Sequence, residues 1–191
     1  MTYTIEGNWA KGIAFDLHTL SSEYLGQDEN GHDQFDNKRS EMGELVYQLK
    51  YKNDTSVVPK IIDLIQNIGN IDKFDAFVTI PPTNKNRPQQ PVNLIASELG
   101  KRVNIPVYLD ALEKNGGHQL KEITDPEQRA EELQKTMFFT KKHDLTNKNI
   151  LLIDDLFRSG STLRVATKIL LEEAKAQKVS VLTMTKTRSN R

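Results

Sequence analysis

Hydrophobic positions fall into two kinds of run along this chain. The first kind is short, mostly apolar and bounded by polar turns: residues 74–80, 105–108, 150–153 and 179–184. Each predicts a strand, and the unbroken aliphatic run 150–153 predicts one covered on both faces, as in a parallel sheet. The second kind has helical spacing. After Ser40, the residues Met42, Leu45, Val46 and Leu49 recur at i, i+3, i+4 and i+7, which predicts an amphipathic helix with a serine N-cap. Val58, Ile61, Ile62, Ile65 and Ile68 make a second stripe, with Pro59 in its first turn and Gly69-Asn70 as its stop. Val92, Ile95, Ala96, Leu99 and Val103 make a third, and residues 162–174 a fourth. Strands alternating with helices predict βαβ units, parallel and right-handed.

Two regions have weaker patterns. Residues 9–18 alternate loosely, as a strand with one covered face would, and residues 26–37 are rich in Gly, Asp, Asn and Gln. Together they predict a β-hairpin with a long tip. Trp9, Phe15 and His18 have two readings: lining a base pocket, or core packing with a surface histidine, and the second is favoured. Further on, Asn115-Gly116-Gly117-His118 is a flexible turn flanked by Lys114, Lys121 and Glu122, and Pro126 opens a charged helix reaching about Lys135. Residues 137–139 predict an edge strand. The expected fold is α/β, a mostly parallel central sheet flanked by helices. Residues 1–55 form a small N-terminal hood or cap and residues 56–191 the core, within one domain overall.

Charge and composition narrow the partners. Lys plus Arg and Asp plus Glu both number 26, for a net charge of zero. That leaves no strong nucleic-acid signal, because affinity for a phosphate backbone comes from clustered basic residues. Arg39, Lys50 and Lys52 read as solvated charges around the first helix. The chain has no cysteine, so neither a disulfide framework nor a thiolate zinc site is expected. No apolar stretch approaches membrane-spanning length, and the first residues lack a signal-peptide pattern. The expectation is a soluble cytoplasmic protein.

The chemistry concentrates in residues 150–162. Four aliphatic residues run into Asp154 and Asp155, and the small turn Arg158-Ser159-Gly160-Ser161-Thr162 then opens a helix. Two carboxylates at the carboxyl edge of a parallel sheet lie where open α/β folds bind ligands. The turn can aim N–H groups and hydroxyls at an anion, aided by the helix N-terminus. One ligand that satisfies both parts is a ribose 5-phosphate, its hydroxyls on the acids and its phosphate on the loop. The bland alternative is a strand–turn–helix whose acids only keep the sheet edge soluble. An earlier strand leads into Pro82, Thr83, Lys85, Asn86 and Arg87, whose charges suit a diphosphate; alone, that loop would pass for a solvated turn.

The stretch 150–162 resembles the phosphoribosyl pyrophosphate (PRPP) motif of type I phosphoribosyltransferases: four apolar residues, two acids, two mostly apolar residues and a Thr/Ser/Gly loop. The Pro81–Arg87 segment resembles that family's pyrophosphate loop. Lys114, His118, Lys121 and Arg129 fall where the family has a flexible loop that closes on the site. The layout is most similar to the competence protein ComF and related domains. The resemblance implies PRPP, or a nucleotide plus pyrophosphate, as ligand. It implies magnesium at Asp154 and Asp155, directly or through water, and catalytic roles for Asp154, Asp155, Lys85 and Arg87. Arg158, Ser159, Gly160, Ser161 and Thr162 would take phosphate. Type I members are often dimers, so a homodimer is an expectation, as is a cognate partner protein. There are departures. ComF proteins usually carry a four-cysteine zinc module, which has no counterpart in this cysteine-free sequence. Purine-salvage members place an acid where Arg158 stands, so hypoxanthine–guanine salvage is not expected. Three functions stay open: a phosphoribosyltransferase, a PRPP- or nucleotide-binding regulatory module, and an effector or toxin of a bacterial defence or toxin–antitoxin pair.

Overall fold

In a computed structural model, residues 2–115, 132 and 135–188 are described. The long apolar runs become a six-stranded sheet in the order β1-β2-β10-β9-β5-β6. Its members are β1 (Tyr3–Thr4), β2 (Gly12–Leu17), β5 (Ala76–Thr79), β6 (Val107–Tyr108), β9 (Asn149–Phe157) and β10 (Lys178–Lys186). All neighbours run parallel except β1, which is antiparallel to β2. Helices α1 (Glu41–Tyr51), α2 (Val58–Ile65) and α3 (Pro91–Val103) cover one face, where Leu151, Ile153, Leu182 and Met184 are buried. Helix α4 (Ser161–Glu172) covers the other, over Ile150, Leu152, Val179 and Val181. Alternate residues of one strand point to opposite faces, so a sheet covered twice needs the unbroken apolar run of β9.

Local chemistry sets the helix ends. The Ser40 side chain accepts a hydrogen bond from the Gly43 N–H at 2.9 Å, satisfying one of the N–H groups orphaned at a helix start. Proline stands in the first turns of α2 and α3. Asn104 ends α3 in the left-handed conformation, φ 57°, which asparagine tolerates. Gly100 in α3 is required by contact: a Cβ there would lie 2.2 Å from Val107 Cγ2 and 2.8 Å from the Ile105 carbonyl oxygen. Gly100→Ala is expected to destabilise by about 1–2 kcal/mol, the steric cost exceeding the gain in helix propensity. Chemical denaturation with an unchanged m-value checks this.

The N-terminal hairpin differs from its expected form. β2 does not pair with the next strand; it lies parallel to β10. The hairpin is instead β3 (Thr19–Gln27) against β4 (Asp33–Arg39), with only residues 28–32 as its tip. Asp28 Oδ1 closes that tip by accepting from the N–H groups of Asn30 and His32, both at 2.9 Å. Both faces of these strands meet solvent, so no apolar alternation marks them. Within residues 1–55, β1 and β2 therefore belong to the main sheet and α1 to its covering layer, while β3–β4 stands apart. Residues 137–139, expected as an edge strand, form β8 (Met137–Phe139), antiparallel to β7 (Leu112–Lys114) in a separate ribbon. Met137 and Phe139 are buried against the α4 side, which explains their apolar character. His118, Lys121, Arg129 and most of the helix expected from Pro126 lie outside the described residues. No helix among the described residues is long and apolar enough to cross a membrane.

Candidate active site

The strand alternation of β9 sends Asp154 and Asp155 to opposite faces at the carboxyl edge of the sheet. Both still line one cavity of about 690 Å³, which lies between β9 and the β5–α3 connection. Pro82, Thr83, Lys85, Asn86 and Arg87 line it as well, so the two segments singled out in the sequence share one cleft. The basic loop has its own bracing. Asn84 Oδ1 accepts from the Asn86 N–H at 3.1 Å, and Gln90 Nε2 donates to the Asn84 carbonyl at 2.9 Å. Thr162 reaches the cavity from α4. Arg158, Ser159, Gly160 and Ser161 are not among the lining residues, and Arg158 is exposed.

The acid pair is unequal. Asp155 is buried and its Oδ2 meets Lys50 Nζ at 2.6 Å. Asp154 Oδ1 accepts from the Asp155 N–H at 2.8 Å. Burial, then the neighbouring Asp155 carboxylate, push the Asp154 carboxyl up to about 8, against smaller lowering effects of that N–H and of Lys50. Protein crowds Asp154, yet the cleft leaves it partly accessible, so water tempers the size of this shift more than its direction.

His18 stands beside the pair at the end of β2. Thr185 Oγ1 donates to the Asp155 carbonyl at 3.1 Å, and His18 Nδ1 lies 3.2 Å from that Thr185 hydroxyl oxygen. The hydroxyl proton is thereby used, so the imidazole is assigned as donor through Nδ1. Burial first, then Arg39, hold its pKa below the usual histidine value. Trp9 and Phe15 are packing residues. Trp9 Nε1 donates to the Ile5 carbonyl at 2.9 Å and its ring stands edge-on to Phe157 at 6.3 Å, while Phe15 packs against the helical core.

The loop before α4 is held from behind. Gly160 has φ 78°, and a Cβ there would lie 2.7 Å from the Phe157 ring. Backbone conformation and the Phe157 ring therefore both demand glycine here. Arg164 donates to the Ser159 carbonyl at 2.7 Å and to the Glu6 carbonyl at 3.0 Å. Ser159 and Ser161 share a hydroxyl hydrogen bond of 3.0 Å.

Several lining residues carried no local signal. Lys50, expected as a solvated charge on α1, is only 23% exposed and is bound to an acid 105 positions away. Asn84, Gln90 and Asn93 also line the cavity, and Asn93 Oδ1 is buried with no hydrogen-bond partner among the described residues. Lys114, expected on a flexible loop, is buried in β7 and lines the cavity.

The donor set bears on a metal. Two carboxylates are present, one held by Lys50, and no group of three His, Cys, Asp or Glu side chains gathers among the described residues. That poverty suits magnesium, which keeps several waters and binds through one or two carboxylates plus substrate phosphate.

A phosphoribosyl transferase domain model matches residues 60–191. The chain belongs to that family. Its parallel sheet with flanking helices is the type I phosphoribosyltransferase fold. The competence protein ComFC of Bacillus subtilis (strain 168) is 28% identical over 145 residues, covering 75% of this chain and 59% of ComFC. The chain therefore spans about three fifths of that relative's length. Among solved structures, the adenine phosphoribosyltransferase of Thermoanaerobacter pseudethanolicus is 14% identical, with 86% of this chain and 83% of that one covered and a TM-score of 0.46. The orotate phosphoribosyltransferase of Aeropyrum pernix is 11% identical, covering 89% and 75%, also with a TM-score of 0.46.

Proposed function

We propose that the cleft binds PRPP and that the chain transfers its ribosyl 5-phosphate to a nucleophilic acceptor, or runs the reverse pyrophosphorolysis of a nucleotide. The observation that carries this reading is one cavity lined both by an acid pair and by Lys85, Asn86 and Arg87. Hydroxyls of ribose need acceptors and a diphosphate needs donors; the cavity offers both.

In this reading Asp154 and Asp155 accept from the ribose hydroxyls. Thr162 and the preceding loop hold the 5-phosphate, with Arg158 as a cation beside it. As the bond between C1 and the pyrophosphate oxygen breaks, its electron pair leaves with pyrophosphate. Lys85 and Arg87 stabilise the charge growing there, and the carboxylates lie near the cation growing at C1. The acceptor's lone pair then bonds to C1 and the acceptor gives up a proton. Magnesium, when bound with the diphosphate at the acid pair, would supply further neutralisation of the leaving group. The β3–β4 hairpin, set apart from the sheet, is the segment we assign to the hood.

Calorimetry with PRPP and magnesium tests the ligand, and pyrophosphate release across a panel of bases tests the transfer. Saturable binding with release is the expected result; absence of PRPP binding sinks the reading. A regulatory module is the second reading, favoured by exposed Arg158 standing where salvage enzymes place an acid. Binding without release for any acceptor in the panel would select it.

A further inference from the structure

Lys50 leaves the last turn of α1 and reaches Asp155 Oδ2 at 2.6 Å, with side-chain exposures of 23% and 11% for the two residues. Both line the cavity that holds the acid pair. A charge-assisted bond in so little water is much stronger than a surface ion pair. Lys50, Lys85, Arg87 and Lys114 line this cavity against two acids, Asp154 and Asp155. A lone divalent cation would have to displace an ammonium to reach Asp155.

We propose that Lys50 is a resident counter-ion of the acid pair, which keeps free divalent metal off Asp155 and admits metal only together with a diphosphate that takes over the ammonium. The exclusion of free metal stands on the ion pair alone. The takeover by diphosphate rests on the PRPP reading of the cleft. Lys50 suits the exchange, because its four-carbon stem carries a compact charge that can swing between neighbouring acceptors. The cleft then discriminates by state: metal complexed to a diphosphate is a ligand, and the bare ion is not.

Titration with Mn²⁺, followed by electron paramagnetic resonance of the free ion, tests the exclusion. The wild type should bind Mn²⁺ weakly. Lys50→Met should bind it about tenfold more tightly or better, since one full charge is removed at contact distance. Lys50→Arg should stay weak, and Lys50→Met combined with Asp155→Asn should lose the gain. If Lys50→Met does not fold, Lys50→Gln, which can still donate to Asp155 without charge, replaces it. Unchanged Mn²⁺ affinity in the charge-removing variant overturns the proposal. Calorimetry with inorganic pyrophosphate tests the takeover. The wild type should bind Mn²⁺–pyrophosphate more tightly than Mn²⁺, and Lys50→Met should lose about tenfold of that advantage. If the wild type binds neither pyrophosphate nor PRPP, the PRPP reading and the takeover fail together, and the Mn²⁺ series still decides the exclusion.

Discussion

Replacing both Asp154 and Asp155 by Asn is expected to weaken PRPP binding by about a hundred- to ten-thousandfold, each carboxylate acceptor contributing roughly 1.5–3 kcal/mol. The amides keep the size of the side chains, so the cavity should survive while its carboxyl acceptors are lost. An amide also cannot offset the charge of Lys50, so the double variant leaves that ammonium without the partner it now has at 2.6 Å. Calorimetry in the presence of magnesium is the direct measurement, with inorganic phosphate as a control for the loop before α4. PRPP affinity within a few-fold of wild type would remove the acids from ribose recognition. A fall in phosphate affinity of equal size would mean instead that the substitutions had disturbed the whole edge of the sheet.

Asp154→Asn alone, without ligand or metal, is expected to stabilise the protein at alkaline pH. The carboxyl of Asp154 is raised from 3.8 to about 8 in the fold. At pH 3 folded and unfolded chains both hold the proton, and the residue costs nothing. As pH rises above the ordinary carboxylate range, the unfolded chain ionises freely while the folded chain does not. Stability therefore falls with rising pH until about 8, where the folded group ionises too and the loss levels off. Asparagine has no proton to lose, so the gap between variant and wild type opens across that window. It should reach on the order of 2–4 kcal/mol at pH 8.5, less than the full shift implies because water enters the cleft. Urea denaturation at several pH values measures it. Parallel curves for the two proteins would show that burial and Asp155 do not hold the proton on Asp154.

How much of this was legible depended on whether a signal was local. β9 announced itself because two covered faces demand Ile150, Leu151, Leu152 and Ile153 in succession, and the acids follow at once. The stripe Met42, Leu45, Val46 and Leu49 fixed the buried face of α1 in the same way. The same helix hid Lys50, because a lysine on the polar side looks alike whether it meets water or an acid 105 residues on. β3 and β4 were illegible as strands, since residues such as Ser21, Ser22, Asp36 and Asn37 have solvent on both sides. The basic loop was read from its place after a strand. Its bracing by Asn84 and Gln90 was not, because nothing local distinguishes a bracing amide from a solvated one. The contact between Gly160 and the ring of Phe157, three residues earlier, which fills the space where a Cβ would be, was not legible either.

Arg164 carries a consequence for anyone shortening the chain. Its guanidinium ties the Ser159 carbonyl to that of Glu6, and Asn8 in turn donates to the Arg164 carbonyl at 3.0 Å. The turn ahead of α4 is thus spliced to the chain's opening residues, more than 150 positions upstream. Trimming the N-terminus to obtain a minimal domain is, in effect, an edit of that turn. A ligand meeting the intact protein finds the turn already set, and one meeting the trimmed protein would have to set it first.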